Sequence, residues 1–333
     1  MENQKIDQAE FRKKCGKIGI LMGGPSSERD ISLKSGSAVF EAFSSSGFET
    51  VAIDIQTDNE AANIITIEEQ RIACAFIALH GRFGEDGGIQ SLLDRIRMPY
   101  SGSGVEASRL AMDKSVSGKL FAANGLHIAQ QVVFTKDTYV SSGEKISVSC
   151  FNFPLVVKPA RHGSSIGLSV VTSKDSLAHA IEFAFAFDEV IVIEEYIKGR
   201  ELTVGILDDR ALPPIEIVPA KGIFDYEAKY NKGMTEYVVP ASLPLPLARK
   251  VQEAAEQAHH ILGCFGYSRV DIILREDNIP FVLEVNTIPG LTQTSLLPKA
   301  ARVIGIDFLN LCMRMLNTAF LRSHDKTKVA DRA

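Results

Sequence analysis

The sequence predicts an α/β fold, because short apolar runs rich in β-branched residues alternate along the chain with amphipathic stretches. Three early runs, at 17–22, 51–55 and 75–79, are mostly apolar, as the buried strands of a parallel sheet are. The stretch 89–96 carries apolar residues at the i, i+3, i+4, i+7 spacing of one helix face. With 333 residues, of which 45% are hydrophobic and 23% charged, the chain is long enough for two or three such units.

The alternation continues beyond residue 102. Ser103 and Glu106 have the spacing of a capping box, which would open one helix ending at 124–125. Other helices are predicted at 31–43, 176–185 and 246–263, and other strands at 154–158, 168–171, 190–194, 202–207, 215–218, 269–274 and 281–286. The polar segment 221–239 has neither periodicity and is predicted to be a lid. Residues 1–14 and 323–333 are predicted to be a polar extension and a frayed tail.

Composition excludes several classes of protein. With 36 Lys and Arg against 41 Asp and Glu, the formal net charge is −5, so no nucleic-acid partner is expected. The five cysteines form no C-x-x-C pair, which disfavours both zinc and a disulfide framework. The N-terminus is polar and the longest apolar run, 72–79, has eight residues, so we expect no signal peptide, no membrane partner and a cytoplasmic location.

The last two predicted strands carry two pairs of polar residues. Arg269 and Asp271 are two positions apart, as are Glu284 and Asn286, and alternate side chains of a strand share one face. A tight turn at 277–278 would place Asp271 opposite Glu284, and facing carboxylates repel. Oxygen ligands around one or two Mg²⁺ ions would relieve that repulsion. The spacing alone is equally compatible with a polar, solvated hairpin face.

A glycine- and serine-rich loop at 163–167 follows one of the predicted strands. Its G-x-S-x-G pattern also matches the nucleophile elbow of serine hydrolases, but an elbow runs from strand into helix and the next residues here predict a strand. The alternative is a loop whose backbone N–H groups fold over phosphate oxygens, with Lys158 supplying a cation.

Two further candidates follow buried strands of the first unit. The turn 23–30 is rich in glycine and precedes a helix, a position suited to an anion. Glu28 in that turn is either a favourable partner of the helix dipole or the residue that holds a ligand's ammonium group. His80 stands at the carboxyl end of a strand, where α/β proteins place their ligands.

Taken in order, these motifs resemble the D-alanine:D-alanine ligases of the ATP-grasp superfamily, over about residues 17–316. The stretches that carry the resemblance are 23–29 (GGPSSER), 78–81 (ALHG), 84–87 (GEDG), 112–114 (MDK), 157–159 (VKP), 163–165 (GSS), 226–230 (YEAKY), 269–271 (RVD) and 284–290 (EVNTIPG). The resemblance implies a three-domain ATP-grasp architecture, with an N-terminal α/β domain at 15–102, a central subdomain at 103–195 and a C-terminal subdomain at 196–322 that carries the lid.

The resemblance also implies an activity, the ATP-dependent ligation of two D-alanines through an acyl phosphate, which supplies peptidoglycan precursors. It implies that ATP is bound by Lys114, Lys158, Glu194, Tyr196, Ile197, Glu201 and Lys229. Two Mg²⁺ ions, replaceable by Mn²⁺, are implied at Asp271, Glu284 and Asn286. The implied catalytic residues are Glu28, Ser164, Tyr230, Arg269 and Ser295, and the substrate contacts add Gly290, Leu296 and, by its position, His80. D-alanine is the expected substrate and a homodimer the expected assembly.

Three positions depart from the usual pattern of that family. His162 stands where an acidic residue is frequent, Ile288 where a small hydroxyl residue is usual, and Thr294 where a histidine often precedes the serine. Three other functions stay open: ligation of another carboxylate and amine, D-alanine:D-lactate ligation, and nucleotide binding without turnover. Tyr230 disfavours the lactate reaction, and Arg269 disfavours a binding module because binding alone needs no oxyanion-stabilising arginine.

Overall fold

Three β-sheets follow one another along the chain. The computed structural model describes residues 6–141, 148, 150–219 and 235–330, with the side chains of the last helix described as far as residue 322. Each sheet draws its strands from one continuous part of the sequence, before residue 78, between 131 and 195, and after 199. This segregation agrees with the α/β class that the sequence predicted.

The first sheet is parallel, with the order β2-β1-β3. Its strands are β1 (Ile18–Gly23), β2 (Thr50–Ile55) and β3 (Cys74–Ile77), and its helices are α1 (Gln8–Cys15), α2 (Arg29–Ser45), α3 (Glu60–Glu69) and α4 (Gly88–Arg95). Every residue of β1 and β3 is buried, because helices cover both faces of a parallel sheet. The three strand predictions are therefore confirmed to within two residues at each end.

The second sheet is antiparallel, with the order β4-β7-β5-β6. It contains β4 (Gln131–Thr135), β5 (Leu155–Pro159), β6 (Ser169–Val171) and β7 (Val190–Glu195), with α7 (Lys136–Ser141) and α8 (Leu177–Phe185). The glycine-serine loop 163–167 joins β5 to β6, which pair with each other. It therefore runs from strand to strand, and the nucleophile elbow is absent here, as the sequence predicted.

The third sheet has the order β11-β10-β8-β12-β13, with β9 paired to β8. Its strands are β8 (Gly199–Leu207), β9 (Arg210–Ala211), β10 (Ile215–Pro219), β11 (Thr235–Val238), β12 (Tyr267–Arg275) and β13 (Pro280–Asn286). Helix α9 (Leu245–Ile261) packs across it through Val251, Ala255 and Ala258. The predicted hairpin is confirmed, since Asp271 pairs with Glu284 and Arg269 with Asn286.

The predicted helix at 103–124 is two helices, α5 (Val105–Met112) and α6 (Lys114–Ala123). Asp113 separates them: its carboxylate accepts hydrogen bonds from the backbone N–H groups of Ser115 and Val116 and so caps α6. The predicted capping box is wrong, because the Ser103 hydroxyl instead accepts a hydrogen bond from the backbone N–H of Phe265. Both helices pack against the third sheet, with Ala107, Ala111 and Phe121 in its core.

The ends of the chain are more ordered than the sequence predicted. Helix α1 lies in the predicted extension 1–14 except for its last residue, Cys15; it is capped by Asp7 and buries Phe11 to 3% exposure. Two C-terminal helices, α10 (Leu296–Val303) and α11 (Phe308–Ala330), were not predicted, and α11 reaches into the predicted tail 323–333. Leu311 and Leu316 of α11 share one hydrophobic core with the first sheet.

The predicted lid is only partly described. Residues 221–234 of the segment 221–239 lie outside the described residues. Residues 235–238 form β11, so the prediction of a segment without secondary structure is wrong there. Strand β11 pairs antiparallel with β10, which supplies the backbone partners that its polar sequence did not suggest.

Of the described helices, none is by itself long and apolar enough to span a membrane. The bent pair formed by α10 and residues 308–322 of α11 meets the same length and composition criterion when the two are taken together. All five cysteines are free thiols.

Candidate active site

The β12–β13 hairpin forms one wall of the candidate site. The Asp271 carboxylate accepts two hydrogen bonds from the Arg269 guanidinium, at 3.0 and 2.8 Å, and one from the Thr203 hydroxyl at 2.7 Å. The amide of Asn286 donates a fourth, at 3.3 Å. Arg269 is two positions from Asp271 on the same strand, whereas strand register brings in the other two groups: Thr203 on β8 is paired with Asp271, and Asn286 lies on β13.

Arg269 remains charged in this wall. Burial disfavours its cation, but the negative charges of Asp271, Glu284 and Glu85 outweigh burial and raise the pKa of Arg269 above its usual value. A permanent cation next to two acidic side chains can stabilise an oxyanion that forms beside it.

A cavity of about 410 Å³ opens between the second and third sheets, and we call it the nucleotide cavity. It is lined by residues for which the sequence resemblance implied ATP or magnesium binding: Lys114, Lys158, Glu194, Tyr196, Ile197, Glu201, Asp271 and Glu284. The two lysines form ion pairs in its wall, Lys114 with Glu284 at 3.1 Å and Lys158 with Glu194 at 2.6 Å. Lys114 is placed by the helix break at Asp113, since it is the first residue of α6.

A second opening of about 1060 Å³, the substrate cleft, lies between the first and second sheets. Glu28 lines it and accepts a hydrogen bond from the Ser164 hydroxyl of the glycine-serine loop. Ser164 and Ser165 both have positive φ, 52° and 57°, so the loop turns sharply at this contact. Gly81 has φ 69°, and a Cβ there would lie 2.7 Å from the Glu28 carboxylate, so the close approach requires glycine.

His80 is buried next to the cleft rather than open to it. Its Nε2 lies 3.1 Å from the hydroxyl of Ser35, whose oxygen also accepts a hydrogen bond from the backbone N–H of Leu291. Burial lowers the pKa of His80 to about 4, although a hydrogen bond with the backbone of Ile288 acts in the other direction. At neutral pH His80 is therefore an uncharged link between α2 and the loop after β13.

Glu85 belongs to the site, although the sequence analysis assigned it no role. Burial, together with the nearby negative charge of Glu28, raises the pKa of Glu85 to about 8. Its carboxylate accepts a hydrogen bond from the backbone N–H of Gly81 at 2.7 Å. The stretch 84–87, which matches the family pattern, was the signal available in the sequence. The pattern of strands and turns around it does not reveal that the Glu85 side chain folds back onto Gly81, just after the preceding strand.

The loop after β13 places the remaining predicted substrate residues. Ser295 is the residue before α10, and its hydroxyl accepts a hydrogen bond from the backbone N–H of Thr292 at 3.0 Å. A Cβ at Gly290 would lie 3.3 Å from the Ser295 hydroxyl, so these two residues are neighbours, and Leu296 opens the helix. Two predicted site residues, Lys229 and Tyr230, lie outside the described residues.

The donor set of the hairpin is compatible with a hard cation. Asp271, Glu284 and Asn286 offer two carboxylates and one amide oxygen, the ligand type that Mg²⁺ prefers. Throughout the described residues, no three His, Cys, Asp or Glu side chains are grouped as a metal site, so this set would need further oxygens from phosphates or water.

The sequence of this chain matches two models of protein families. The model described as "D-ala D-ala ligase C-terminus" matches residues 120–317, more than half of the chain, and the model "D-ala D-ala ligase N-terminus" matches residues 61–103. The chain belongs to the D-alanine–D-alanine ligase family. Relatives in this family include the D-alanine–D-alanine ligases of Geotalea uraniireducens, 48% identical, and Geobacter sulfurreducens, 47% identical. Each alignment covers 93% of this chain, and 97% and 96% of the respective relative.

Solved structures of the family have the same fold. The D-alanine–D-alanine ligase of Bacillus anthracis complexed with ATP aligns with a TM-score of 0.81 and 34% identity, over 93% of this chain and 99% of that chain. VanG D-Ala:D-Ser ligase from Enterococcus faecalis aligns with a TM-score of 0.79 and 29% identity, over 92% and 99%. The ATP-grasp architecture that the sequence predicted is thereby confirmed.

Proposed function

We propose that this chain uses ATP to join two D-alanine molecules into D-alanyl-D-alanine. The observation that carries the proposal is the meeting of the two openings at the glycine-serine loop. The nucleotide cavity, with Lys114 and Lys158, lies on one side of that loop, and the substrate cleft, with Glu28, lies on the other. A nucleotide in the cavity and a substrate held at Glu28 would therefore lie on either side of the same loop, as phosphoryl transfer between them requires.

In the first half-reaction, the chain has to hold a nucleotide and a first D-alanine in line. Lys114 and Lys158 would bind the phosphates, while Glu194, Tyr196, Ile197 and Glu201 would bind adenine and ribose, together with Lys229 from the lid. Glu28 would hold the ammonium group of the first D-alanine, supported by Ser164 and Tyr230. Positioning and neutralisation of charge are most of what phosphoryl transfer requires of a protein.

Asp271, Glu284 and Asn286 would hold two Mg²⁺ ions, for which Mn²⁺ is a substitute. Bound there, the ions would neutralise phosphate charge and withdraw Glu284 from its ion pair with Lys114. Lys114 would then be available for a phosphate oxygen.

In the second half-reaction, the amine of a second D-alanine attacks the acyl phosphate and phosphate leaves. Arg269 and the backbone N–H of Gly290 would stabilise the oxyanion of the tetrahedral intermediate. Ser295 and Leu296 would bind the carboxylate of the second D-alanine, and His80 would hold their loop against α2. Closure of the segment 221–239 would exclude water, which otherwise hydrolyses the acyl phosphate.

The proposal also covers the domain boundaries, the oligomeric state, the cellular location and the use of the product. We place the domain boundaries at 102 and 195, as the sequence predicts, and propose a cytoplasmic homodimer that makes a peptidoglycan precursor. The product's use in the cell wall is inferred from membership of the D-alanine–D-alanine ligase family.

The test is an assay of phosphate release with mass spectrometry of the products. ATP and Mg²⁺ are supplied with D-alanine alone, or with D-alanine and an equal concentration of D-lactate or D-serine. D-alanyl-D-alanine as the main product in every mixture is expected. A main product containing D-lactate or D-serine would instead support a ligase with another second substrate. D-serine is included because a structural neighbour, VanG, is a D-Ala:D-Ser ligase. ATP binding without any condensation would support a nucleotide-binding module.

A further inference from the structure

His162 lies at the passage between the two openings and has no role in the proposed reaction so far. It immediately precedes the glycine-serine loop and lines both the nucleotide cavity and the substrate cleft. Its carbonyl oxygen accepts a hydrogen bond from Lys114 Nζ at 2.9 Å, and its ring meets Phe187 edge-on, with centroids 6.1 Å apart. Backbone and ring contacts thus fix the imidazole where the two openings meet.

The two ring nitrogens of His162 have different surroundings. Nδ1 is enclosed by protein and has no hydrogen-bond partner within the described part of the chain. Because Nδ1 is enclosed, Nε2 is the ring nitrogen that can reach a ligand in the openings that His162 lines. A neutral ring with its proton on Nε2 would present a donor to the passage, whereas a proton on Nδ1 would leave Nε2 as an acceptor.

Neighbouring charges do not make this ring a cation. Burial lowers the pKa of His162 below its usual range, and Lys114 and Arg161 lower it further, against the opposing charges of Asp188 and Glu28. A second proton would also have to occupy the enclosed Nδ1. At neutral pH the His162 ring is therefore uncharged.

We propose that Nε2–H of His162 donates a hydrogen bond to the phosphoryl group while that group passes from ATP to the carboxylate of the first D-alanine. The inference rests on the proposed function, because it requires phosphate oxygens at the passage. In this step the bond from phosphorus to the ADP oxygen breaks and a bond to the carboxylate oxygen forms, and His162 keeps its proton. A donor fixed beside that path stabilises the transferred group more than either bound reactant.

NMR of protein with ¹⁵N-labelled histidine tests this without turnover. The variant His162→Gln assigns the signal of His162 among the seven histidines. At pH 7 we expect the ¹⁵N shifts of a neutral ring protonated on Nε2, and a change in the Nε2 shift when Mg²⁺ and the non-hydrolysable analogue AMP-PNP bind. An Nδ1–H ring, or binding that leaves the His162 signal unchanged, would overturn the inference alone. Failure of the analogue to bind would overturn the proposed function with it.

Kinetics of two variants separate hydrogen bonding from packing. His162→Phe keeps a ring against Phe187 but has no N–H, whereas His162→Gln keeps a donor. We expect the Phe variant to lose about tenfold or more in kcat, with a smaller change in the KM for ATP, and the Gln variant to recover most of that loss. His179→Gln, an exposed histidine of α8, is the matched control and should stay within about twofold of the parent. Equal losses in the Phe and Gln variants, or none in the Phe variant, would contradict the inference.

Discussion

Asp271 accepts hydrogen bonds from three side chains, so its charge holds the wall of the site together as well as offering a metal ligand. Replacing Asp271 with Asn removes the negative charge opposite Arg269 but keeps the shape of the side chain. We expect roughly a hundredfold or greater loss of D-alanine-dependent phosphate release, with the circular dichroism spectrum unchanged. The assay is repeated over a magnesium titration, since loss of a ligand raises the concentration that half-saturates the enzyme.

The same hairpin supplies a matched control for that variant. Arg275 donates two hydrogen bonds to Asp277, at 3.0 and 2.7 Å, in the arrangement that Arg269 has with Asp271, but at the exposed turn. Asp277→Asn should therefore leave the rate within about twofold of the parent, because exposed ion pairs contribute little. Similar rates in both variants, with similar magnesium dependence, would show that Asp271 holds no catalytic metal.

Titration of the single residue Glu85 makes the unfolding free energy of the protein depend on pH. Its pKa is raised to about 8 in the folded chain, so between the ordinary carboxyl pKa and pH 8 the folded state binds more protons there than the unfolded state does. By linkage, the contribution of Glu85 to the unfolding free energy falls as the pH rises through that range.

Glu85→Gln removes this titration. Relative to the parent, the variant should gain more than about 1 kcal/mol in unfolding free energy between pH 5 and pH 8, measured by urea denaturation. Glu41→Gln, at an exposed position on α2, should show no such gain. A difference between Glu85→Gln and the parent that is constant with pH would mean that Glu85 does not hold its proton in the folded state.

Among the elements, buried strands were predictable because they are continuously apolar over several residues. Strands β1, β5 and β7 were each found to within one or two residues. Strand β4 was missed because its apolar centre has only three residues and four of its five residues are half-buried. Strand β11 is polar and is a strand because β10 offers it a backbone partner, which local sequence does not encode.

Helix α1 was missed because it is polar apart from two buried side chains, Phe11 and Cys15. It is held to the first sheet chiefly by Phe11, whose ring meets Phe48 and Phe320 edge-on at 6.3 and 6.4 Å. Tertiary packing can order a helix whose own sequence is a weak helix former.

We therefore expect Phe11→Ala to cost about 3 kcal/mol or more of unfolding free energy, because it leaves a cavity beside the rings of Phe48 and Phe320. Phe183→Ala on α8, where the side chain is 42% exposed, is the control and should cost under about 1 kcal/mol. Urea denaturation measures both. Equal small losses would mean that the N-terminal helix contributes nothing to the fold, as the sequence alone predicted.

On the scale of the whole molecule, the candidate site takes residues from all three sheets. Glu28 follows β1, Lys158 lies on β5 and Asp271 on β12. The facing of Asp271 and Glu284 could be predicted because a short hairpin joins their strands. The contact of Glu28 with Ser164 could not be derived from spacing, because 136 positions separate them and they meet only where the turn after β1 reaches the glycine-serine loop between β5 and β6. The resemblance to a known family supplied that pair.

The ion pair of Lys114 with Glu284, in the wall of the nucleotide cavity, should couple nucleotide binding to the stability of the whole protein. Lys114 is paired with Glu284 at 3.1 Å, and both side chains are mostly buried. If a phosphate takes Lys114 while no metal is present, the mostly buried carboxylate of Glu284 loses that cation and faces the negative charge of the phosphates, which is costly. With magnesium present, Glu284 gains a cation in exchange for the one it loses.

We therefore expect AMP-PNP with Mg²⁺ to raise the melting temperature by several degrees, as a ligand that binds only the folded state does, and AMP-PNP with EDTA to raise it by less than about half as much. The difference between the melting-temperature shifts with Mg²⁺ and with EDTA should be smaller in Glu284→Gln, because the neutral amide of the glutamine needs no compensating cation. Lys198→Met disrupts an ion pair of similar length with Glu276, but one in which both side chains are over 70% exposed, and it should behave as the parent does. Equal shifts with Mg²⁺ and with EDTA in the parent would show that Lys114 and Glu284 stay paired when nucleotide binds, and that the metal is held elsewhere.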